Sequence, residues 1–494
     1  MKKGWKKLAA LGLSVVTAGA MLSGCGSSGS DDKSASSDTK DMPVVNFVMP
    51  SFYDFSTASD VEAKINDILG EKYGIQTKLT YVSIGAWTQQ TNLLLTGDEC
   101  DVVAVFTTPL STYVNNGQLL ALDDYFENAS DEMKDTFSEG QMKSTTIDGN
   151  IYALSNFKDF AGAIDYAMSE KIVDELGIDV DSIKTMDDIE DVLAKVHEAH
   201  PELYSIVPQH DSQMLTSRWT WDDLGVGFAS AFTGLSDYGD STNVECLYEM
   251  DDFKTFTEYT HKWYEEGYVM ADAMSNTEAG DSLILGGKAF STFLNGSVGK
   301  LPDGIVAARV IEPWSTSSAY TGVAYGINAN SKNPDASWKL LEAFYTDEDV
   351  AKLLVDGIEG TNYVDNGDGT ISYPDGVDSS STTYGGAEQA WLYPNSTLTS
   401  PIDTLGDADY FDKLMDFNNN AIESKALGFM FNTSKCADAF SSCSNVHQKY
   451  FNALMCGAVD PDAVIPQAIE ELKAAGLDEV MKEEQSQLDA FLAE

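Results

Sequence analysis

The chain has 494 residues, of which 79 are acidic and 30 are basic, so its formal net charge is −49 at pH 7. Such a charge repels nucleic acids and anionic lipid head groups and excludes both as partners. A solvated acidic surface explains this charge better than capture of a cationic ligand does. Hydrophobic residues make up 43% of the chain, which is typical of a globular protein, and the length is sufficient for two or three domains.

The amino-terminal residues have the pattern of a secretory signal. Its basic residues are Lys2, Lys3, Lys6 and Lys7. The apolar stretch that follows, residues 8–22, is too short and too rich in Ala and Gly for a stable membrane span. It ends in Leu-Ser-Gly-Cys25, which resembles the lipobox of bacterial lipoproteins, where the peptide is cut before the cysteine and fatty acyl chains such as palmitate are attached. We predict a signal peptide over residues 1–24 and lipidation of Cys25. The alternative is an ordinary signal peptide with a chance cysteine.

A linker is expected to follow the lipidated cysteine. After Cys25, residues 26–41 contain only Gly, Ser, Asp, Thr, Lys and Ala, which cannot form a core. Residues 25–41 are therefore predicted to form a flexible linker. The resulting expectation is a soluble body held by lipid on the extracellular face of a cell membrane, of the Gram-positive type.

Strands and helices alternate at the start of the predicted body. The pattern predicts strands at 44–49, 76–82 and 101–106 and helices at 58–73 and 87–95. This alternation favours parallel strands joined by right-handed crossovers, and hence an α/β lobe. Ligands of such sheets bind at the carboxyl ends of the strands, which fall at residues 49–54, 82–87 and 106–109.

A second block of mixed elements follows. Strands are predicted at 160–168, 288–294, 305–311 and 319–328, and helices at 185–197, 253–266 and 335–345. From residue 418 the pattern is mainly helical and ends in the amphipathic stretch 464–492. The fold class is therefore α/β with a helical carboxyl-terminal part.

Metal and cofactor sites are not indicated by the pattern of cysteines and acidic residues. The cysteines beyond Cys25 are Cys100, Cys246, Cys436, Cys443 and Cys456. Their scattered spacing does not match a zinc site, and buried reduced cysteines are expected. The run from Asp365 to Thr370 has a superficial likeness to a calcium loop, but its twelfth position is Gly376 instead of Glu, so a Gly-rich hairpin turn is predicted.

Several segments together resemble one family. The segments are GKAFSTFLNG at 287–296, YGINANSKNPDASWK at 325–339, and the strand at 101–103 with Tyr113, 117–120 and Asp123, while 357–363 resembles a subfamily of oligosaccharide-binding lipoproteins from Gram-positive bacteria. The chain is similar in these motifs to the family 1 extracellular solute-binding proteins of ABC transporters, the relatives of maltose-binding protein. One motif departs from the family, because Ser297 and Val298 follow Asn295-Gly296 where many relatives carry a tryptophan.

The resemblance implies a periplasmic-binding-protein-like fold of two discontinuous α/β lobes with a sugar in the cleft between them. Lobe 1 would comprise residues 42–156 and 321–354, and lobe 2 residues 157–320 and 355–494, including the carboxyl-terminal helices. The chain would cross between lobes near residues 154–159, 313–321 and 354–362. The implied partners are a carbohydrate ligand and the permease subunits of an ABC transporter, with no cofactor and no catalytic activity.

Candidate ligand-binding residues combine aromatic rings, which pack on sugar faces, with polar groups that bond hydroxyls. Those at predicted strand ends are Tyr53, Asp54, Trp87, Thr107 and Thr108. Those at predicted crossings are Asn156, Lys158, Asp159, Trp314 and Glu359. The remaining candidates are Trp219, Trp221, Asn295 and Trp391. Core packing is the alternative for Trp87, Trp219 and Trp221.

Two other functions stay open at this point. An extracellular glycoside hydrolase would use two carboxylates, but with 79 acidic residues such a pair carries no weight. The sequence has no serine-nucleophile, zinc-protease or phosphate-loop motif, and its five histidines are not grouped. The other alternative is a receptor for peptides or another polar solute.

Overall fold

The structure, a computed structural model, describes residues 42–493, and its main strands form two five-stranded sheets with helices packed around them. The predicted signal peptide, Cys25 and the linker lie outside the described residues. The strands are β1 (Val44–Ser51), β2 (Gln76–Ser83), β3 (Val102–Phe106), β4 (Thr146–Ile147), β5 (Asn150–Ile151), β6 (Leu154–Ser155), β7 (Gly162–Ser169), β8 (Tyr204–Ile206), β9 (Thr233–Gly234), β10 (Glu245–Cys246), β11 (Ala289–Gly296), β12 (Ile305–Ser315), β13 (Val323–Ile327), β14 (Val364–Asp365), β15 (Ile371–Ser372) and β16 (Ile422–Glu423).

Helices account for much of the rest of the chain. They are α1 (Ala58–Lys72), α2 (Trp87–Leu95), α3 (Leu110–Asn115), α4 (Asp123–Glu127), α5 (Asp131–Asp135), α6 (Glu139–Ser144), α7 (Glu170–Leu176), α8 (Met186–Ala199), α9 (Asp251–Glu265), α10 (Gly280–Leu285), α11 (Pro334–Thr346), α12 (Glu348–Asp356), α13 (Tyr410–Asn419), α14 (Ala437–Met455), α15 (Pro461–Ala475) and α16 (Leu477–Leu492). No helix among residues 42–493 has both the length and the apolar composition that crossing a membrane requires.

The first sheet has the strand order β2-β1-β3-β13-β6. β1 pairs in parallel with both β2 and β3, which confirms the strand-helix alternation predicted for this region. β13 pairs antiparallel with β3, so a segment far along the chain completes the sheet. Helix α1 buries Val61, Ile65 and Leu69, the apolar stripe expected at helical spacing. We call this sheet and its core the first lobe.

The second sheet has the order β16-β12-β7-β11-β8 and defines the second lobe. β7 lies antiparallel between β11 and β12. β12 is longer than predicted and reaches Ser315, because Trp314 pairs with both Gly162 and Ile422. Helix α8 starts with a capping box of Thr185 and Asp188, which fixes its amino end as the sequence pattern indicated. The predicted α/β fold with two sheets is confirmed.

The first core also contains residues from the stretch assigned above to the second lobe. Tyr384, Leu392 and Tyr393 are buried in it. The hydroxyl of Tyr81 lies 3.0 Å from that of Tyr384, which in turn donates to the carbonyl of Leu354 at 2.7 Å. The third connection between lobes therefore lies between Tyr393 and β16, and not at residues 354–362. Sequence periodicity missed this because the stretch has no long helix or strand.

The carboxyl-terminal part is helical, as expected, and packs on the second core through α14, α15 and α16. The predicted amphipathic stretch at 464–492 is two helices instead of one. Gly476 separates them with φ of +114°, a conformation that glycine adopts without a steric penalty. All five cysteines among residues 42–493 are buried and free of disulfides, as the spacing suggested.

Candidate functional site

A cavity of about 490 Å³ lies between elements of the two lobes. Ala390 on one wall belongs to the first core, whereas Ser297 and Gly299 follow strand β11 of the second sheet. The lining residues are Lys158, Asp159, Ser297, Gly299, Ala387, Glu388, Ala390, Trp391, Ser396, Ile402, Leu405, Tyr410, Phe411 and Leu414. This size and the mixture of apolar and polar side chains are typical of small-molecule sites.

The first lobe contributes a cluster of aromatic rings, of which Trp391 lines the cavity and Phe52 and Phe106 lie beside Trp391. Trp391 is 38% exposed and Phe52 46% exposed, although both are large apolar side chains. Their ring centroids lie 5.8 Å apart, and Phe106 lies 5.9 Å from Trp391. Phe52 directly follows β1 and Phe106 ends β3, so the carboxyl ends of two parallel strands position this cluster. Trp391, which the sequence analysis named as a candidate ligand-binding residue, lines the cavity.

The loops after β1 and β3 contain four of the predicted site residues, which lie beside the cavity and are not part of its lining. Tyr53 is exposed beside Phe52, and burial together with the charge of Glu388 raises its pKa. The Asp54 carboxylate accepts from the amide and hydroxyl of Ser56, so it is used within its own turn. Thr107 has φ of +62°, a strained conformation for a β-branched residue, and Thr108 next to it is half-buried. Backbone strain of this kind clusters at ligand sites.

The first crossing between the lobes contains three more of the predicted site residues. Asn156 is fully buried and donates to the carbonyl of Trp391, so it fixes the main chain that carries the exposed ring. Its own Oδ1 has no hydrogen-bond partner among the described residues. Lys158 and Asp159 line the cavity, and the Lys158 ammonium contacts the Asp159 carbonyl at 2.8 Å and its carboxylate at 3.2 Å.

The second-lobe wall compensates for the tryptophan missing after Asn295-Gly296. Val298 packs against Tyr410, Phe411 and Leu414 of helix α13, so aromatic rings from this helix occupy the wall instead. Burial, with the nearby charge of Asp159, raises the pKa of Tyr410 to about 12. Asn295 is exposed at the same end of β11 but is not part of the cavity lining. Its side chain contacts Ser217 and donates to Thr216 at 3.3 Å.

The candidate residues Trp219 and Trp221, and Trp314 at the predicted crossing, do not line the cavity. Trp219 packs edge-on against Phe256 at 4.8 Å, and Trp221 stacks on Phe228 at 5.3 Å. Trp314 has 0% exposure and donates its indole N–H to the Trp219 carbonyl at 3.0 Å. All three belong to the second core. The aromatic-rich helix α9 and strand β12 enclose them, so the expected role in stacking is wrong for this arrangement.

Two further expectations also fail. Trp87 is buried at the start of α2 and donates to the Phe106 carbonyl at 3.0 Å, so it supports the strand end from below without reaching the cavity. Glu359 is exposed and does not line the cavity, because the third connection between lobes lies further along the chain. Core packing had been the alternative for Trp87 and is what the structure shows.

Sequence reasoning missed two residues that line the cavity, Glu388 and Tyr410, and one that lies beside it, Phe52. Phe52 had the same signal as Tyr53, since it also follows β1, and could have been found. Glu388 and Tyr410 had no such signal, because they lie in a segment without regular periodicity and on a helical stripe that reads as core. Their approach to the cavity depends on how residues 384–419 run across both lobes.

Metal ligands are not grouped in the described part of the chain. Among residues 42–493 no cluster of three or more His, Cys, Asp and Glu side chains could hold a metal ion. The run at 365–370 is the hairpin turn that was predicted, joining the antiparallel pair β14 and β15. Its carboxylates are used locally, since Asp365 accepts from the Gly367 amide and Asp368 from the Thr370 amide and hydroxyl.

Comparison with known proteins agrees with the fold described above. A carbohydrate ABC transporter substrate-binding protein of Streptococcus pneumoniae (strain TIGR4) is 27% identical over 509 residues, covering 99% of both chains. The crystal structure of the N-glycan transport solute binding protein NgtS from Streptococcus pneumoniae has a TM-score of 0.78 at 22% identity, covering 91% of this chain and 99% of that one. An HMO-binding ABC-transporter-associated solute binding protein from Bifidobacterium longum infantis has a TM-score of 0.60 at 18% identity, with coverage of 91% and 99%.

Family profiles match two parts of the chain. A domain of unknown function, DUF3502, matches residues 425–493, which include α14, α15 and α16. The profile described as bacterial extracellular solute-binding protein matches residues 57–351, which is more than half of the sequence and spans elements of both sheets. The family membership expected from the sequence motifs is thereby confirmed, and the chain belongs to the bacterial extracellular solute-binding proteins.

Proposed function

We propose that this protein is the lipid-anchored extracellular receptor of an ABC importer, which captures a sugar or oligosaccharide in the cavity between its lobes and delivers it to the permease. The observation that carries the proposal is the exposed ring of Trp391, which contacts Phe52 and Phe106 and lines a cavity that also contains polar groups. Rings of this kind pack on the apolar faces of sugars, while polar side chains bond the hydroxyls.

The known relatives support a carbohydrate ligand. The 27% identical protein is named for carbohydrate transport, and NgtS, whose fold this chain shares, has been crystallised with Man1GlcNAc and Man5GlcNAc. The lining residues that we propose to contact sugar are Trp391, Lys158, Asp159 and Tyr410. Phe52, Tyr53, Thr107 and Thr108 lie in the strand-end loops beside the cavity and are proposed to contact a ligand that extends past its lining. Asn156 is fully buried, and we propose that it acts by holding the main chain of Trp391. Asn295 lies at the edge of the same region and is available for a longer ligand.

Anchoring is the second part of the proposal. A receptor secreted without an outer membrane would diffuse away unless it were tethered, and lipid on Cys25 followed by the linker at 25–41 would hold it near its permease. By flexible-coil scaling, a linker of this length spans roughly 20 to 25 Å, which leaves the body free to dock while attached.

Calorimetry on the full chain carrying Cys25→Ala, titrated with a panel of oligosaccharides, tests ligand capture. Saturable binding of at least one oligosaccharide without release of reducing sugar supports a receptor. Release of reducing sugar would establish a glycoside hydrolase instead, and binding of peptides but no oligosaccharide would establish a peptide receptor.

A further inference from the structure

The charged side chains around the cavity do not favour the binding of an anion. The charged side chains in its lining are Lys158, Asp159 and Glu388. Lys158 is the cation of this set, and its ammonium is held by the carbonyl and the carboxylate of the adjacent Asp159. A lysine that is already paired offers little to a second anion, because binding that anion would require breaking the existing contact.

Cations close behind the lining are occupied too. Arg309 forms a two-pronged ion pair with Asp165 and donates to the carbonyl of Ser297, a lining residue. Lys300 pairs with Asp407 at 2.8 Å. Arg218 donates to the carbonyl of Trp314 at 2.7 Å and has the charges of three aspartates near it. Each of these cations therefore has an anionic or carbonyl partner from the protein itself.

Glu388 differs from these paired groups, because its carboxylate has no cationic partner within salt-bridge distance among residues 42–493. Its carboxylate accepts a hydrogen bond from the Tyr373 hydroxyl at 3.1 Å. Its charge acts on both tyrosines beside it, because burial and then the Glu388 charge raise the pKa of Tyr53 and of Tyr373. Glu388 thus contributes an uncompensated negative charge and free acceptor lone pairs to the cavity.

We infer that the cavity is selective for uncharged oligosaccharides and that Glu388 is a specificity-determining residue, which accepts sugar hydroxyls and disfavours ligands carrying a carboxylate or sulfate. The inference rests on the proposed carbohydrate function. A neutral sugar presents hydroxyl donors to Glu388, whereas an acidic sugar meets a like charge, and Lys158 in the described lining is already paired with Asp159. The net charge of −49 adds a long-range field that slows the approach of anions.

The size of the effect follows from Coulomb's law. Two like charges about 10 Å apart at an effective dielectric constant of about 20 repel strongly enough to lower the affinity by more than about tenfold. The repulsion should weaken as salt is added, because the Debye length falls from roughly 30 Å at 0.01 M to about 8 Å at 0.15 M.

The experiment compares one neutral oligosaccharide that binds with the uronic acid made from it by oxidising a single primary hydroxyl. Calorimetry is done on the full chain carrying Cys25→Ala, with and without Glu388→Gln, at low and at physiological salt. Glu258→Gln, an exposed carboxylate on α9, is the matched control. We expect the uronic acid to bind at least about tenfold more weakly at low salt, and Glu388→Gln but not Glu258→Gln to reduce this ratio severalfold.

Each outcome decides the question. Equal or tighter binding of the acidic ligand by the unsubstituted protein overturns the inference and leaves the carbohydrate function in place. An unchanged ratio in a cooperatively melting Glu388→Gln variant removes Glu388 as the specificity residue. If that variant does not fold, the ratio of the unsubstituted protein and its decrease with salt still decide selectivity. Failure of every neutral and acidic oligosaccharide to bind overturns the proposed function, and the inference with it.

Discussion

Replacement of Trp391 by alanine tests the candidate site most directly. Trp391 is 38% exposed, and a tryptophan side chain has an area of about 250 Å², so about 95 Å² of this ring is available to a ligand. Covering half to all of that area at about 25 cal/mol per Å² contributes about 1.2 to 2.4 kcal/mol. Trp391→Ala should therefore weaken oligosaccharide binding by about sevenfold to fiftyfold.

The assay is calorimetry at 25 °C on the full chain, accompanied by a thermal melt. The Asn156 contact is made to the main-chain carbonyl of Trp391 and survives the substitution, so the segment should stay in place. Tyr204 supplies a control, because it is a 39% exposed aromatic residue at the start of β8 that does not line the cavity. Tyr204→Ala should leave the affinity unchanged.

The result that would refute this reasoning is an unaltered dissociation constant for Trp391→Ala in a protein that still melts cooperatively. The aromatic cluster would then have another role, and the ligand would bind elsewhere between the lobes. An equal loss of affinity in Trp391→Ala and Tyr204→Ala would point to a general loss of structure.

Three other outcomes are expected. Trp314→Ala should lower the free energy of unfolding by about 3 to 5 kcal/mol, because the ring is fully buried, and a denaturant titration with no change would contradict its place in the core. Burial, followed by the charges of Asp222 and Asp223, raises the pKa of Glu484 to about 8, so the folded state holds a proton that the unfolded state releases near pH 4.5. Stability should therefore fall by up to about 1.4 kcal/mol per pH unit between about pH 4.5 and 8, and Glu484→Gln should flatten that slope in pH-dependent melts. Cys25→Ala should move the protein from the membrane fraction to the medium and leave sugar binding unchanged. Retention of this variant in membranes would contradict the proposed anchor.

The sequence predicted the sheets well because their signals are local. Parallel β1, β2 and β3 follow from alternating strands and helices, and helix α8 follows from its capping residues and apolar stripe. Such features depend on neighbours within a few residues, and the expected strand ends therefore fell beside the cavity.

The tryptophans were harder to predict because their exposure depends on distant elements. Trp221 and Trp314 were candidates for packing on a sugar, but Phe253, β7 and β16 enclose them. These partners lie more than 30 residues away in the sequence. Trp391 lies in a segment of irregular structure whose path is fixed by contacts with Asn156 and with the first core. Long-range packing, which a single sequence does not show, determines that Trp221 and Trp314 are buried and that Trp391 is exposed.

The insertion of Tyr384 and Tyr393 into the first core affects how the chain must fold after export. A secreted chain that crosses the membrane amino end first would expose β1, β2 and β3 early, yet their core is completed only by β13 and by residues as late as Tyr393. Pairings between such distant segments form slowly and leave apolar surface open to aggregation meanwhile. In a chain that crosses the membrane amino end first, the first lobe is thus among the last parts to become native, because its core requires β13 and residues as late as Tyr393.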